Sequence, residues 1–272
     1  MCEGDAVTTW AIDLDGVVWR GDRLLDGAAA AIGALLEAGV QVVFCTNHAQ
    51  SAEVKERQLA RLGVPAAPVV TSAEAAAAAC VTGSAVLAMG ERSLVESLAG
   101  SGLEVQDVWS LPDGEVPKVD TVIVGACPDW DRSRVGMVAD AVREGATFLA
   151  TNDDPTYPVS GPAGPRLLPG NGALVAAVAT AAGVPAQVTG KPHAPMAELL
   201  VARHGPVDVV VGDKPETDGQ LADRLGARFG LVLSGVTSSE DLPVTPEPWR
   251  VAPDLAALVQ GYLSGRSDGS RT

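Results

Sequence analysis

Two aspartates separated by one residue follow the first apolar segment of the chain. Residues 8–13 predict a buried strand that ends at Asp13, Asp15 comes two positions later, and Gly16 allows the backbone to turn. Side chains at positions i and i+2 of an extended backbone point the same way, so both carboxylates can reach one ligand. Two carboxylates so close together favour a bound cation. Such a pair alone is also typical of solvated loops and helix caps, so it needs support from elsewhere in the chain.

Three further apolar segments predict strands that end in polar or charged residues. They are residues 40–45 before Thr46 and Asn47, residues 186–190 before Lys191, and residues 207–211 before Asp213 and Asp218. Ligands of an open α/β sheet bind at the carboxyl ends of its strands. We therefore expect a hydroxyl, an amide, an ammonium group and two further carboxylates at the edge of the sheet where the first pair lies.

In this order the four segments resemble the motifs of the haloacid dehalogenase-like (HAD) phosphohydrolases. The motifs are DLDG at 13–16, TN at 46–47, the lysine at 191 and GDKPETD at 212–218. The resemblance spans nearly the whole chain. It implies an α/β fold with a Rossmann-like three-layer core, a parallel sheet and an inserted α/β cap domain of the C2 type. A large insertion between the second motif and the lysine is the layout of the type IIA branch of this superfamily.

The stretch between Asn47 and Lys191 is far longer than a βαβ crossover requires, and it has its own alternation of predicted strands and helices. We therefore predict a HAD core at 1–79 and 187–263, an inserted α/β cap at 80–186 and a flexible tail at 264–272. The elements expected in the core include strands at 8–13, 40–45, 186–190, 207–211 and 228–233, and helices at 26–38, 51–62, 194–204 and 255–263. Asp26 is the expected N-cap of the first helix.

The two aspartates of the first motif suit phosphomonoester hydrolysis. The substrate is a dianion, so the reaction needs an in-line nucleophile, a proton for the leaving oxygen and local positive charge. Asp13 is the expected nucleophile, which gives an aspartyl-phosphate. Asp15 is expected to protonate the departing oxygen and then to take a proton from the hydrolytic water. The family resemblance implies the same two roles.

Mg²⁺ is the expected cofactor, because it prefers oxygen ligands in octahedral geometry. The expected ligands are the side chains of Asp13 and Asp213 and the backbone carbonyl of Asp15. Asp218 either supports the metal's water ligands or caps the helix that follows. The groups expected to bind the phosphoryl oxygens are the Thr46 hydroxyl, the Asn47 backbone amide and the Lys191 ammonium group.

Composition excludes several classes of protein. The chain has 34 acidic and 19 basic residues and a net charge of −15, which argues against nucleic acid as a partner because phosphate backbones require a basic surface. No apolar run approaches the ~20 residues that span a bilayer, and residues 1–5 lack an export signal, so we expect no membrane association and a cytoplasmic location. The four cysteines lack zinc-binding spacing. Cys45 is expected to be a buried strand residue.

Residues 151–172 are rich in proline and glycine and read as a loop of the cap. The large side chains of this loop are Tyr157, Arg166, Leu167 and Leu168. Because they offer little surface to a bulky ligand, we expect a small phosphorylated metabolite of the phosphoglycolate, glycerol phosphate or sugar phosphate type, with p-nitrophenyl phosphate accepted as well. The alternative is that this loop only packs the cap. A homodimer through the cap is a further expectation that the resemblance implies.

Two other functions remain open at the level of sequence. A phosphotransferase or phosphomutase would use the same aspartate, and a non-catalytic protein would only bind a phosphorylated ligand. A response-regulator-like domain is disfavoured by the long insertion and by the GDKPETD motif. The roles of His48, Trp19 and Lys214 are also open, since Trp19 can face the entrance of the site or pack beneath the acidic loop.

Overall fold

The computed structural model describes residues 8–161 and 164–269, which fall into two compact units. The first unit comprises Met1–Thr46, Ala52–Val70 and Ala197–Thr272, and the second comprises Asn47–Ser51 and Thr71–Met196. The predicted limits of the core and the cap, at 80 and 186, differ from these divisions and stay a prediction.

The chain alternates strands and helices. The strands are β1 (Thr9–Ile12), β2 (Trp19–Arg20), β3 (Arg23–Leu24), β4 (Gln41–Thr46), β5 (Val69–Thr71), β6 (Ala85–Met89), β7 (Glu104–Asp107), β8 (Thr121–Val124), β9 (Thr147–Ala150), β10 (Thr156–Gly161), β11 (Gly164–Pro169), β12 (Gln187–Val188), β13 (Val209–Gly212), β14 (Arg228–Val232) and β15 (Arg250–Ala252). The helices are α1 (Ala28–Glu37), α2 (Ala52–Arg61), α3 (Ser72–Ala78), α4 (Arg92–Gly100), α5 (Arg132–Arg143), α6 (Asn171–Ala182), α7 (Ala194–His204), α8 (Gln220–Leu225) and α9 (Leu255–Gly269).

A six-stranded sheet forms the centre of the first unit, in the order β15-β14-β13-β1-β4-β5. β1 pairs in parallel with both β4 and β13. Its sequence TWAI is buried along its whole length, as is typical of a parallel strand that is covered on both faces. Trp10 and Ile12 pack in one apolar cluster with Ile32 and Leu35 of α1 and with Phe44 of β4.

The second unit contains a five-stranded sheet in the order β12-β9-β8-β6-β7, and its pairs are parallel. The strand predicted at 186–190 belongs to this sheet, where Gln187 and Val188 pair with Leu149 and Ala150. Its assignment to the core sheet was therefore wrong. A two-residue strand carries too little hydrophobic pattern to indicate which of two parallel sheets it joins.

Three local expectations need revision. Gly27, with φ 75°, is the residue that caps α1, so Asp26 is not its N-cap. The last helix continues to Gly269, well into the segment predicted as a flexible tail, and residues 270–272 lie outside the described residues. The proline-rich segment 151–172 contains the antiparallel pair β10–β11 rather than an irregular loop.

No helix within residues 8–161 and 164–269 is both long enough and apolar enough to cross a membrane.

Candidate active site

Three predicted site residues lie at the carboxyl ends of three neighbouring strands. β13, β1 and β4 are adjacent in the first sheet, and Asp213, Asp13 and Thr46 stand directly after or at their last residues. The backbone N–H of Asp13 donates to the Val211 carbonyl at 2.9 Å, which continues the parallel ladder into the site. Parallel strands thus bring together residues that are far apart in the chain, at the edge where α/β sheets bind ligands.

Asp13, Asp213 and Asp218 form a cluster of carboxylates. One oxygen of each lies within 4.8 Å of the others, and the three residues are 9%, 4% and 1% exposed. Anionic oxygens so close together in a buried place repel one another unless positive charge is near. An all-oxygen donor set of this kind fits Mg²⁺. The structure therefore places a carboxylate oxygen of Asp218 in the same cluster as those of the two side chains that were predicted to be ligands.

Two glycines leave room for the carboxylate of Asp213. At Gly16, where φ is +79°, an added Cβ would lie 2.8 Å from the Asp213 carboxyl carbon, and at Gly235 it would overlap the same carboxylate. The Val236 N–H next to Gly235 donates to Asp213 Oδ2 at 2.6 Å. Backbone therefore approaches Asp213 closely on two sides, which only residues without a Cβ permit.

Asp15 lies in a different environment from Asp13. Its side chain is exposed, and its Oδ1 accepts a hydrogen bond of 3.0 Å from the indole Nε1 of Trp19. Trp19 itself is 1% exposed. The question left open by the sequence is thereby answered, because Trp19 packs beneath the acidic loop and contacts its second aspartate.

Asn47 and Lys191 contact each other within the second unit. The Lys191 N–H donates to Asn47 Oδ1 at 2.7 Å, and Asn47 Nδ2 donates to the Lys191 carbonyl at 3.1 Å. The Asn47 carbonyl also accepts hydrogen bonds from Ser72 Oγ and Asn152 Nδ2. The Asn47 side chain thus fixes the backbone at Lys191, a role that the sequence did not suggest. Phosphate binding by Thr46, Asn47 and Lys191 stays a prediction.

A buried lysine was missed by the sequence analysis. Lys55 of α2 is 3% exposed, and its Nζ lies 5.4 Å from the centroid of the Trp19 ring. The available signal was its spacing, since Lys55 is four residues before the buried Leu59 and so shares the inward face of the helix.

The remaining candidate residues are His48, Lys214 and the cysteines. His48 is exposed and Lys214 is half-buried, and the Lys214 N–H donates to Asp218 Oδ2 at 3.2 Å. Cys45 is buried in β4, as expected. Burial raises the pKa of the Cys80 and Cys127 thiols, so neither is an activated thiolate of the kind that nucleophilic catalysis requires.

Known proteins resemble the chain along most of its length. Residues 10–104 match the family described as haloacid dehalogenase-like hydrolase, and residues 188–258 match a HAD-hydrolase-like family. D-glycerol 3-phosphate phosphatase of Mycobacterium tuberculosis is 36% identical over 261 residues, which cover 92% of this chain and 70% of that protein.

Solved structures of phosphatases have a fold similar to that of this chain. A glycerol phosphate phosphatase from Mycobacterium tuberculosis in complex with magnesium has a TM-score of 0.78 at 34% identity, over 93% of this chain and 77% of that one. A p-nitrophenyl phosphatase from Archaeoglobus fulgidus has a TM-score of 0.82 at 25% identity, over 94% and 99% of the two chains. With these relatives, its α/β fold and its four motifs, the chain belongs to the haloacid dehalogenase-like hydrolases, in their type IIA branch of phosphatases.

Proposed function

We propose that this protein is a Mg²⁺-dependent phosphatase of small phosphomonoesters, with Asp13 as its nucleophile. The observation that carries the proposal is the buried cluster of Asp13, Asp213 and Asp218 at the carboxyl ends of adjacent strands. Similarity to phosphatases of D-glycerol 3-phosphate and p-nitrophenyl phosphate supports a small substrate.

The reaction takes place in two steps. A carboxylate oxygen of Asp13 attacks phosphorus while the bond to the leaving oxygen breaks, and Asp15 gives its proton to that oxygen. Asp15 then accepts a proton from water, whose oxygen attacks the aspartyl-phosphate, and inorganic phosphate departs as the Asp13 carboxylate is restored. The side chains of Asp13 and Asp213 and the Asp15 carbonyl would hold Mg²⁺, with Asp218 supporting its water ligands. When bound, Mg²⁺ supplies positive charge that offsets the phosphoryl dianion.

A panel of phosphomonoesters with Mg²⁺ tests this function. The purified chain should release inorganic phosphate and alcohol in equal amounts from phosphoglycolate, glycerol phosphate, sugar phosphates or p-nitrophenyl phosphate. Release of more alcohol than phosphate in the presence of an acceptor alcohol would instead favour the phosphotransferase. Binding of these esters without turnover would favour the non-catalytic alternative.

Two further expectations belong to the same proposal. The homodimer through the cap is carried over from the family resemblance, and sedimentation velocity measures it directly. The cytoplasmic location predicted from the sequence is tested by fractionation of the source cells.

A further inference from the structure

Trp19 and Asp15 form a contact that the reaction described above does not use. The indole Nε1 donates to Asp15 Oδ1 at 3.0 Å, and the indole is almost completely buried while the carboxylate is exposed. An exposed carboxylate otherwise samples several rotamers. A hydrogen bond to a buried and therefore immobile donor selects one of them.

The chemistry of the donor fixes more than the rotamer. An indole N–H can only donate a hydrogen bond, and it offers no lone pair to a carboxylic acid proton. The oxygen of Asp15 that faces the indole must therefore act as an acceptor in both protonation states. In a neutral carboxyl group the carbonyl oxygen is a stronger acceptor than the hydroxyl oxygen, so the indole contact favours Oδ1 as the carbonyl and Oδ2 as the oxygen that carries the proton.

We propose that Trp19 is a positioning residue that selects Oδ2 of Asp15 as the atom that gives its proton to the leaving oxygen. The proposal rests on the phosphatase function proposed above. It assigns Trp19 no contact with the substrate.

The surroundings of Trp19 suit this role. Its backbone N–H donates to the Leu14 carbonyl at 3.1 Å, and its carbonyl accepts from the Gly16 N–H at 2.7 Å. Trp19 also pairs with Leu24 across β2 and β3, and the buried Lys55 lies over the face of its ring. Both ends of the turn that carries Asp15 are thus held by the residue that contacts its side chain.

The role predicts a dependence on the leaving group. An alkoxide needs a proton as it departs, whereas p-nitrophenolate leaves readily without one, so misplacement of the acid slows alkyl esters more. The parameter kcat/KM includes the steps up to departure of the alcohol. In Trp19→Phe we expect kcat/KM for glycerol phosphate to fall at least about tenfold further than kcat/KM for p-nitrophenyl phosphate.

Trp10 provides a matched control. It belongs to the same apolar cluster and is also buried, but among the described residues its Nε1 has no hydrogen-bond partner. Trp10→Phe therefore removes the same atoms from the same core without touching Asp15, and the ratio between the two esters should stay at its wild-type value.

The measurements distinguish a positioning role of Trp19 from a packing role and from failure of the proposed function. An equal fall for both esters in Trp19→Phe means that Trp19 only packs, and the inference is then wrong. Wild-type protein that hydrolyses neither ester contradicts the proposed function instead. If Trp19→Phe does not fold, Trp19→benzothienylalanine keeps the shape of the fused ring and replaces only the N–H. A changed ratio in that variant supports the inference, and an unchanged ratio overturns it.

Discussion

The two aspartates of the first motif are chemically identical, yet their surroundings differ, in keeping with the two roles proposed for them. Asp13 is buried beside two other carboxylates, whereas Asp15 is exposed and held by an indole N–H. Mg²⁺ bound at this cluster would hold Asp13 in its anionic form, as a nucleophile must be. A carboxyl group that is exposed and held in one orientation can reach a leaving oxygen, as a general acid must. A separation of two positions along the chain is enough to place the two carboxyl groups in these different environments.

Asp13→Asn tests the nucleophile. The amide keeps the shape of the side chain but has no anionic oxygen, so turnover should fall by at least roughly 10³. The variant should remain folded, because it relieves repulsion within the buried cluster; circular dichroism and a thermal melt check this. Asp223→Asn, at an exposed acid of α8, should retain wild-type turnover. Near-wild-type hydrolysis by Asp13→Asn would contradict the mechanism.

Residue types and their order along the chain were enough to place Asp13, Thr46 and Asp213 at neighbouring strand ends, while their roles stay a prediction. For Asp218 and Trp19 the sequence left two alternatives each, and it could not decide between them because both depend on how short turns fold back. Lys55 was missed because a lysine normally indicates a solvated face, and only the packing around α2 buries it.

At the scale of elements, the polar residues after apolar runs correctly located the carboxyl ends of β1, β4 and β13. Sequence patterns failed where strands are short or contain proline. Pro158, Pro165 and Pro169 indicated a loop, although a two-stranded ribbon tolerates proline because one side of each strand has no partner. β12 has only two residues, too few to show a periodicity that identifies its sheet.

Gly235→Ala tests the backbone approach to Asp213. The added Cβ would overlap the Asp213 carboxylate, so the side chain must move and the site should bind Mg²⁺ about tenfold more weakly or worse. Titration of activity and of thermal stability with Mg²⁺ measures this. Gly136→Ala, at a helical glycine whose added Cβ would meet open space, should bind Mg²⁺ like the wild type. An unchanged Mg²⁺ affinity in Gly235→Ala would show that the space is not needed.

The β10–β11 ribbon is the element predicted to set specificity. Tyr157 is paired with Leu168, and Arg166 lies two residues before Leu168, so Tyr157 and Arg166 share one face while Leu167 lies on the other. All three of Tyr157, Arg166 and Leu167 are exposed. Alanine at 157 or 166 should change the preference between phosphoglycolate and glycerol phosphate more than it changes turnover of p-nitrophenyl phosphate, because Arg166 can pair with a substrate carboxylate.

Leu167→Ala is the control for the opposite face and should leave that preference unchanged. If the variants at 157 and 166 slow all three esters equally, the ribbon is a structural element and does not select substrates.

For the whole molecule, which has a net charge of −15, we expect bound Mg²⁺ to support both activity and stability. Mg²⁺ bound to the folded state alone stabilises it by about 2.7 kcal/mol at a concentration about 100 times its Kd. The melting temperature should therefore rise with added Mg²⁺ and fall with EDTA, and activity should disappear and return in parallel. Ca²⁺ should inhibit, because its larger and looser coordination disturbs in-line geometry.

A matched melt of Asp13→Asn separates specific binding from general screening of charge. This variant should lose most of the stabilisation by Mg²⁺. A shift as large as that of the wild type, or full activity after exhaustive chelation, would contradict the predicted ligands.

The position of β1 between β4 and β13 determines the order in which the chain can fold as it leaves the ribosome. The Thr9 N–H binds the Asp208 carboxylate across 199 residues, so the first sheet cannot close before β13 has been synthesised. At about 5–20 residues per second, β1 waits roughly 10–40 s for β13, although its other partner, β4, is synthesised much earlier. Residues 71–196 have all been synthesised before β13 leaves the ribosome. During that time the nascent chain presents the β13 side of β1 as an unpaired strand edge, a feature that favours aggregation.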